Sequence, residues 1–332
     1  MKKTGLILLL LVAVAAWAQQ PEQPNLASAT TAESASTNSQ PANVETNGNY
    51  PTLQMAKPTH ADLYCAGLIS KSLLPDANYI AGGLNTPNTL KYVTGDIVYM
   101  AGSGYQPGAQ YTIVRELQDM NRYEVYPGQH ALLASTGQPY AELGYVKILD
   151  TRSKMAVAQV EFSCDSMLPG DVAIPFAEKP LIDFHAPVKF DRFAPASGRL
   201  TGRIVLAKDF DAILGTGMKL YMNVGSNQGV KVGDYFRAVR SYSTDLRDSV
   251  DSLSFKASMG EDTQKKQPSY GHLPMVRSKG PEINVATLPR RAVGEIVIIG
   301  VTPTTATGMI TFALEDVHIG DGVELEASEQ QQ

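Results

Sequence analysis

Leu220-Tyr-Met-Asn-Val-Gly-Ser-Asn-Gln-Gly-Val-Lys-Val-Gly-Asp-Tyr-Phe-Arg-Ala-Val-Arg240 sets two apolar-alternating runs on either side of a Gly/Asn/Ser turn. The pattern predicts a strand, a turn and a returning strand, the second launched by Gly233-Asp234. Period-two alternation puts Met218, Leu220, Met222 and Val224 on one face, opposite Lys219, Tyr221 and Asn223. No stretch outside the leader sustains a helical period, and short β-rich runs recur between Gly, Pro and Asn. The chain therefore reads as all-β.

The same unit occurs twice. Tyr99-Met100 matches Tyr221-Met222, Gly104-Tyr-Gln-Pro-Gly108 matches Gly229-Val-Lys-Val-Gly233, and Arg115 matches Arg240. Further on, Gly144 to Pro175 aligns with Gly294 to Leu325 without a gap at a constant offset of 150. That match keeps Phe162 with Phe312 and Gly170-Asp171 with Gly320-Asp321. An ungapped match over such a length is the mark of a duplication. A Gly-led strand precedes each copy, and Gly67-Leu-Ile-Ser is matched with Gly202-Arg-Ile-Val. Alternation then assigns Ala156, Ala158, Val160, Phe162 and Cys164 to one core face, and Ala306, Gly308, Ile310, Phe312 and Leu314 to the other. Ile296 to Ile299, apolar on both sides, reads as a central strand.

Residues 1–18 carry the parts of a secretory signal peptide: Lys2 and Lys3, an apolar run from Gly5 to Ala16, and Ala16-Trp17-Ala18 as the cleavage site. The apolar run falls short of the roughly 20 residues a membrane span needs, and no transmembrane segment is expected in the mature chain. Residues 19–60, rich in Gln, Pro, Ser, Thr and Asn, read as a disordered linker. Domain 1 is expected over 61–178, an extended connector over 179–196 and domain 2 over 197–326, with a flexible insertion at 243–288 and a disordered tail at 327–332. The expected fold is thus two tandem, duplicated small β-barrel-like domains. Cleavage leaves 26 basic against 33 acidic residues. That balance argues against a nucleic-acid partner, which calls for clustered positive charge.

Cys65 and Cys164 are the only cysteines. The alignments place them opposite Leu200 and Leu314, two apolar positions changed together, and an exported chain meets an oxidising compartment. A Cys65–Cys164 disulfide is expected, the alternative being two separate buried thiols. The bridge would close a loop of about 100 residues and contribute up to roughly 4–5 kcal/mol in the chain-entropy account.

The residues show no reaction. The five His, at 60, 130, 185, 272 and 318, have no metal-ligand spacing. Ser226 is not in a Gly-x-Ser-x-Gly elbow. Asp96, Asp171, Asp234 and Asp321 each follow a Gly at a strand start, so they read as turn makers that bond backbone amides rather than as paired catalytic carboxylates. No enzyme activity, cofactor or metal is expected.

Two features point to binding. The second copy's longer turn, Gly225, Ser226, Asn227 and Gln228, is a candidate partner contact. Eight of the fifteen tyrosines fall between Tyr92 and Tyr145 in the first repeat. Tyr99 and Tyr105 among them are candidates for stacking on sugar rings if exposed, and otherwise fill strands.

The Leu220–Phe236 stretch resembles the C-terminal β domain of the bacterial flagellar assembly protein T. Val293-Gly-Glu-Ile-Val-Ile298, the Ala306 strand and Ile319-Gly-Asp321 resemble its remaining elements in the same order. The resemblance covers residues 197–326 clearly and 62–175 weakly. Similar modules occur in other Gram-negative envelope proteins, some with LysM-type peptidoglycan-binding domains. It implies an exported, periplasmic or outer-membrane-associated module that scaffolds or assembles envelope proteins or contacts the cell wall. Peptidoglycan or other polysaccharide binding through the tyrosines is the alternative, and a hydrolase ranks last. The oligomeric state is left open.

Overall fold

The computed structural model describes residues 55–84, 89–118, 124–126, 128–184, 190–241 and 289–326. The expected leader at 1–18, the insertion at 243–288 and the tail at 327–332 lie outside the described residues. In chain order the elements are α1 (His60–Tyr64), β1 (Leu68–Ser70), β2 (Tyr79–Gly83), β3 (Ile97–Ala101), β4 (Gln110–Glu116), α2 (Gln129–Thr136), β5 (Gln138–Asp150), β6 (Ala156–Ser163) and β7 (Val172–Pro175). The second half contributes β8 (Thr201–Ala207), β9 (Ile213–Leu214), β10 (Lys219–Met222), β11 (Tyr235–Arg240), β12 (Arg291–Val301), β13 (Ala306–Ala313), β14 (Val317–His318) and β15 (Gly322–Leu325).

The strands close into two six-stranded antiparallel barrels. Barrel 1 runs β5–β4–β7–β2–β3–β6 and back to β5, and barrel 2 runs β12–β11–β15–β8–β10–β13 and back to β12. These are one circuit written twice, and the registers agree residue for residue. Tyr99 faces Val157 as Tyr221 faces Thr307, and Tyr111 faces Val146 as Phe236 faces Ile296. Bulges recur as well, at Tyr145/Val146 and at Glu295/Ile296. A bulge bends the strand and increases its twist, which helps so few strands close. Both interiors are packed with side chains: Ile80, Met100, Ile113, Val146 and Ala158 in barrel 1, and Ile204, Leu220, Phe236, Ile296 and Ile310 in barrel 2. A barrel this narrow is a core rather than a channel.

Several sequence expectations are corrected. Leu220 to Arg240 is not a hairpin. β10 pairs with β8 and β13, β11 pairs with β12 and β15, and the turn between them crosses the barrel end. Period-two runs beside a turn specify two strands but not that they pair with each other. The partner of the Gly202 strand is β2, since Ile80↔Met100 repeats Ile204↔Met222, so Gly67 begins an additional strand instead. That strand, β1, pairs with the start of β5 beyond the barrel rim. Phe162 and Phe312 do not share the interior face. The bulges fall just before them, at Glu161 and Thr311, and an extra residue turns the following side chain outward. β12 matches its expectation and is buried from Ala292 to Ile299.

The expected linker ends early. Residues 55–60 pack on barrel 2, where Ala56 N–H donates to Thr311 O at 2.7 Å. Thr59 and Asp62 then form a reciprocal cap that starts α1. α2, absent from the sequence reading, lies in barrel 1's β4–β5 connection but packs on barrel 2. Gln129 Nε2 donates to Val205 O at 3.2 Å, and Leu132 and Leu133 cover the outside of β8 and β10. The two tandem barrels pack together within one compact unit. Its join is made by two clusters, one around Leu63, Ala66, Tyr235, Val297 and Ile299, the other around Ile69, Val205, Leu206 and Tyr221.

Candidate functional site

The four Gly-Asp pairs build one repeated turn. Gly95, Gly170, Gly233 and Gly320 have φ of 97°, 95°, 92° and 99°, the left-handed region that glycine enters without a Cβ penalty. Each following Asp accepts a hydrogen bond from the amide three residues earlier: Asp96 from Val93, Asp171 from Leu168, Asp234 from Lys231 and Asp321 from His318. Two also meet an arginine, Asp171 with Arg115 and Asp321 with Arg240. The carboxylates are occupied by backbone and guanidinium, as turn makers should be.

Other ionisable groups at the join are equally committed. Glu142 accepts from Gly67 N–H and from Lys179 Nζ at 2.7 Å, tying the connector to β5. Lys219 pairs with Asp62 at 2.6 Å, so α1 is clamped to β10. Burial pushes the Asp62 carboxyl up, but hydrogen bonds from Lys219 and Thr59 hold it below its ordinary value. Burial, and then the charge of Lys219, lowers the pKa of Lys208. Neither surface hollow includes Lys208: one is lined by Leu117, His130, Leu133 and Pro139, the other by Pro195, Ser197, Arg237 and Glu324. Among the described residues no three His, Cys, Asp or Glu side chains gather as a metal site.

The Gly225–Gln228 turn is held from behind. Ser226 N–H donates to Thr302 O at 2.9 Å, Asn227 N–H to Pro303 O at 3.0 Å, and Gly225 N–H to Gln228 Oε1 at 2.8 Å. A Cβ on Gly225 would collide with the Thr302–Thr305 backbone, so this position is fixed by close approach. Ser226, Asn227 and Gln228 are exposed at the barrel's end.

The first-repeat tyrosines are dispersed, not gathered. Tyr92 is in the barrel 1 core, and Tyr140 is buried and accepts Leu74 N–H. Tyr126 crosses into barrel 2, packed in its core beneath Gly320 with Arg203 over its ring at 5.1 Å. Tyr105 caps the end of barrel 1, donates to Ala101 O and meets Tyr111 edge-on at 5.0 Å. Burial raises its phenol to about 12. Tyr99 lies on the outer face of β3 and is in ring contact with neither. The structure therefore does not bring Tyr99 and Tyr105 together as a stacking platform.

An aromatic surface does exist, from residues that the sequence reading did not bring together as a site. His60 and Tyr64 of α1 lie over Tyr145, Phe162 and Phe176 on the outside of barrel 1. Ring centroids are 4.5 Å apart for His60–Tyr64, 4.9 Å for His60–Phe162 and 5.6 Å for the stacked Tyr64–Phe176 pair. His60 is exposed and the other four rings half-buried. Burial, with Glu161 and Tyr64 adding to it, raises the Tyr145 phenol. The bulge at Glu161 is what turns Phe162 into this patch, and the recurrence of Phe at 162 and 312 was its one trace in the sequence. Phe312 sits in the equivalent place, covered by Phe190 at 4.8 Å.

No protein-family model matches the chain, and no curated protein matches it. The disulfide that anchors this surface is present: Cys65 and Cys164 are bridged with Cα atoms 6.2 Å apart. Cys65 is buried and Cys164 exposed, so the second cysteine is not the core position the alignment suggested. Among the described residues no helix is long and apolar enough to cross a membrane.

Proposed function

We propose that the protein is a non-enzymatic, exported cell-envelope module, periplasmic or outer-membrane-associated, that scaffolds or assembles other envelope proteins. The observation that carries this reading is the partly exposed aromatic patch of His60, Tyr64, Tyr145, Phe162 and Phe176 on a disulfide-anchored pair of packed barrels. Aromatic side chains on a rigid frame supply contact area at low ordering cost, as in protein interfaces. The signal-peptide pattern at 1–18, the disulfide and the resemblance to flagellar assembly protein T support the same direction. Filled barrels and committed carboxylates support a binding role over a catalytic one.

The test is photo-crosslinking of the mature protein in envelope extracts, alongside cosedimentation with purified peptidoglycan. The expected result is a discrete protein adduct, lost on Tyr145→Ser or His60→Ala, with no cosedimentation. Cosedimentation abolished by Tyr99→Ala with Tyr105→Ala would replace this reading with polysaccharide binding.

A further inference from the structure

The duplication supplies an internal comparison of surfaces. In barrel 2 the outer face of β8, β10 and β13 is covered by the chain's own segment Ala66–Ile69. Three hydroxyls of that face hold the segment's carbonyls: Tyr221 donates to Ala66 O at 3.4 Å, Thr307 to Gly67 O at 2.9 Å and Thr305 to Ile69 O at 2.9 Å. A Cβ on Gly67 would run into the Tyr221 hydroxyl, so only glycine passes there. Beneath the segment Tyr221 is 0% exposed, Ile299 0% and Thr305 1%.

Among the described residues, the same face in barrel 1 has no such cover. The conserved register makes Tyr99 the counterpart of Tyr221, Val157 of Thr307, Met155 of Thr305 and Leu149 of Ile299. Leu149 is 48% exposed, Met155 45%, and Tyr99 and Val157 are half-buried. Where barrel 2 has Val205 and Leu206, barrel 1 has the smaller Ala81 and Gly82. The Tyr99 hydroxyl has no hydrogen-bond partner among the described residues, whereas its counterpart binds a peptide carbonyl. The two threonines have become Met and Val, while Val297 and Met309 beside them are replaced by Lys147 and Gln159, so this version of the face offers one hydroxyl and an aliphatic strip with a polar border. Exposed aliphatic side chains grouped where the sister barrel buries its own mark an interaction surface.

We propose that the Tyr99–Val157–Leu149 face of barrel 1 docks an extended segment of a partner polypeptide, with a Gly passing Tyr99 and an aliphatic residue against Leu149 and Met155. The partner's carbonyl accepts from the Tyr99 hydroxyl as Ala66 O does from Tyr221. The chain's own segment is already spent, since it pairs with β5 and covers barrel 2. Among the described residues no other segment lies on this face, and the proposal commits to another polypeptide as its occupant. This inference rests on the reading of the protein as an interaction module.

The experiment titrates full-length mature protein with the synthetic peptide Ala56–Lys71 carrying Cys65→Ser, followed by NMR of the barrel amides. Saturable binding centred on β3 and β6 is expected, weakened fivefold or more by Leu149→Asp and about threefold by Tyr99→Phe. Ile213→Asp, an exposed apolar position on barrel 2, is expected to leave it unchanged. Absence of saturable binding overturns the proposal, and so does binding indifferent to both barrel 1 substitutions. Displacement of the bound peptide by a GlcNAc–MurNAc disaccharide overturns it in favour of a sugar site. The peptide comes from this chain, so the titration decides the face whether or not an envelope protein is ever crosslinked. The two readings fail separately.

Discussion

Arg240 lays its guanidinium against Asp321, donating from Nε at 3.0 Å and from Nη2 at 2.9 Å, and Arg115 grips Asp171 in the same fork at 2.8 Å through both nitrogens. Each guanidinium also reaches a carbonyl in the loop before the turn, Asp316 O at 2.6 Å and Ser166 O at 2.9 Å. The fork fastens the end of β11 or β4 to the turn that launches β15 or β7. Like the Gly-Asp turns themselves, it is a polar device that both barrels preserve whole.

The two forks differ in burial, and that sets their worth. Arg240 and Asp321 side chains are 4% and 0% exposed, while Arg115 is 29% exposed. Removing one partner of a buried pair leaves an uncompensated charge and costs about 3–5 kcal/mol, whereas a partly solvated pair contributes nearer 1 kcal/mol. Arg240→Met is therefore expected to lower the urea midpoint more than Arg115→Met, since Asp171, 5% exposed, is buried like its counterpart but its pair opens to water on the arginine side. Equal losses would show that burial does not distinguish them.

Gly170 and Gly320 separate backbone strain from packing. Both have a left-handed φ, so alanine at either costs about 1 kcal/mol for conformation alone. Space differs: a Cβ at Gly170 meets nothing within 4 Å, whereas at Gly320 it would lie 2.7 Å from Tyr126 Cδ1. Gly320→Ala is expected to be the more damaging by 1 kcal/mol or more in thermal unfolding. A Gly320→Ala, Tyr126→Ala double variant should then show less than the summed loss, because the collision is gone.

The Cys65–Cys164 bridge spans 99 residues of chain, a separation at which the loop-closure account gives roughly 4–5 kcal/mol and typical measured values are about 2–4 kcal/mol. It also pins α1, and with it His60 and Tyr64, above Phe162. Cys65→Ser with Cys164→Ser should lower the melting temperature and raise hydrogen exchange at Leu63–Ala66 more than within β12. Uniform exchange across both barrels would mean that the bridge stabilises globally without anchoring the helix.

The pairing of Cys65 with Cys164 was legible even though one alignment behind it was wrong, because the sequence holds only two cysteines. The turns were legible because their determinants are local: Gly at positive φ, then Asp reaching back three residues. Arg115 and Arg240 were seen to match, as were Asp171 and Asp321, yet that each Arg meets its Asp is a long-range fact with no local trace. Phe162 was misplaced because a bulge shifts alternation by one residue without changing composition. Strand pairing failed at Leu220–Arg240 for a related reason, since β10 and β11 are neighbours in sequence but separated by β12 and β13 around the barrel. α2 is short, and its docking on the other barrel, not its own periodicity, holds it in place.

Glu295 gives a pH dependence with a definite sign. It is 1% exposed on the outer side of β12, accepts a hydrogen bond from Thr311 Oγ1 at 2.8 Å and faces Arg237 and Glu326. Burial first, with Glu326 adding to it against Thr311 and Arg237, pushes its carboxyl from 4.5 up to about 7. Between those values the folded protein holds more protons than the unfolded chain, so this group's contribution falls as pH rises from 4.5 through 7. The whole effect amounts to about 3 kcal/mol. Glu295→Gln keeps an acceptor for Thr311 and has no charge to bury. The variant is expected to match the native protein near pH 4.5 and exceed it in urea stability above pH 7.5. Parallel stability–pH curves for the two proteins would place the Glu295 carboxylate in contact with water.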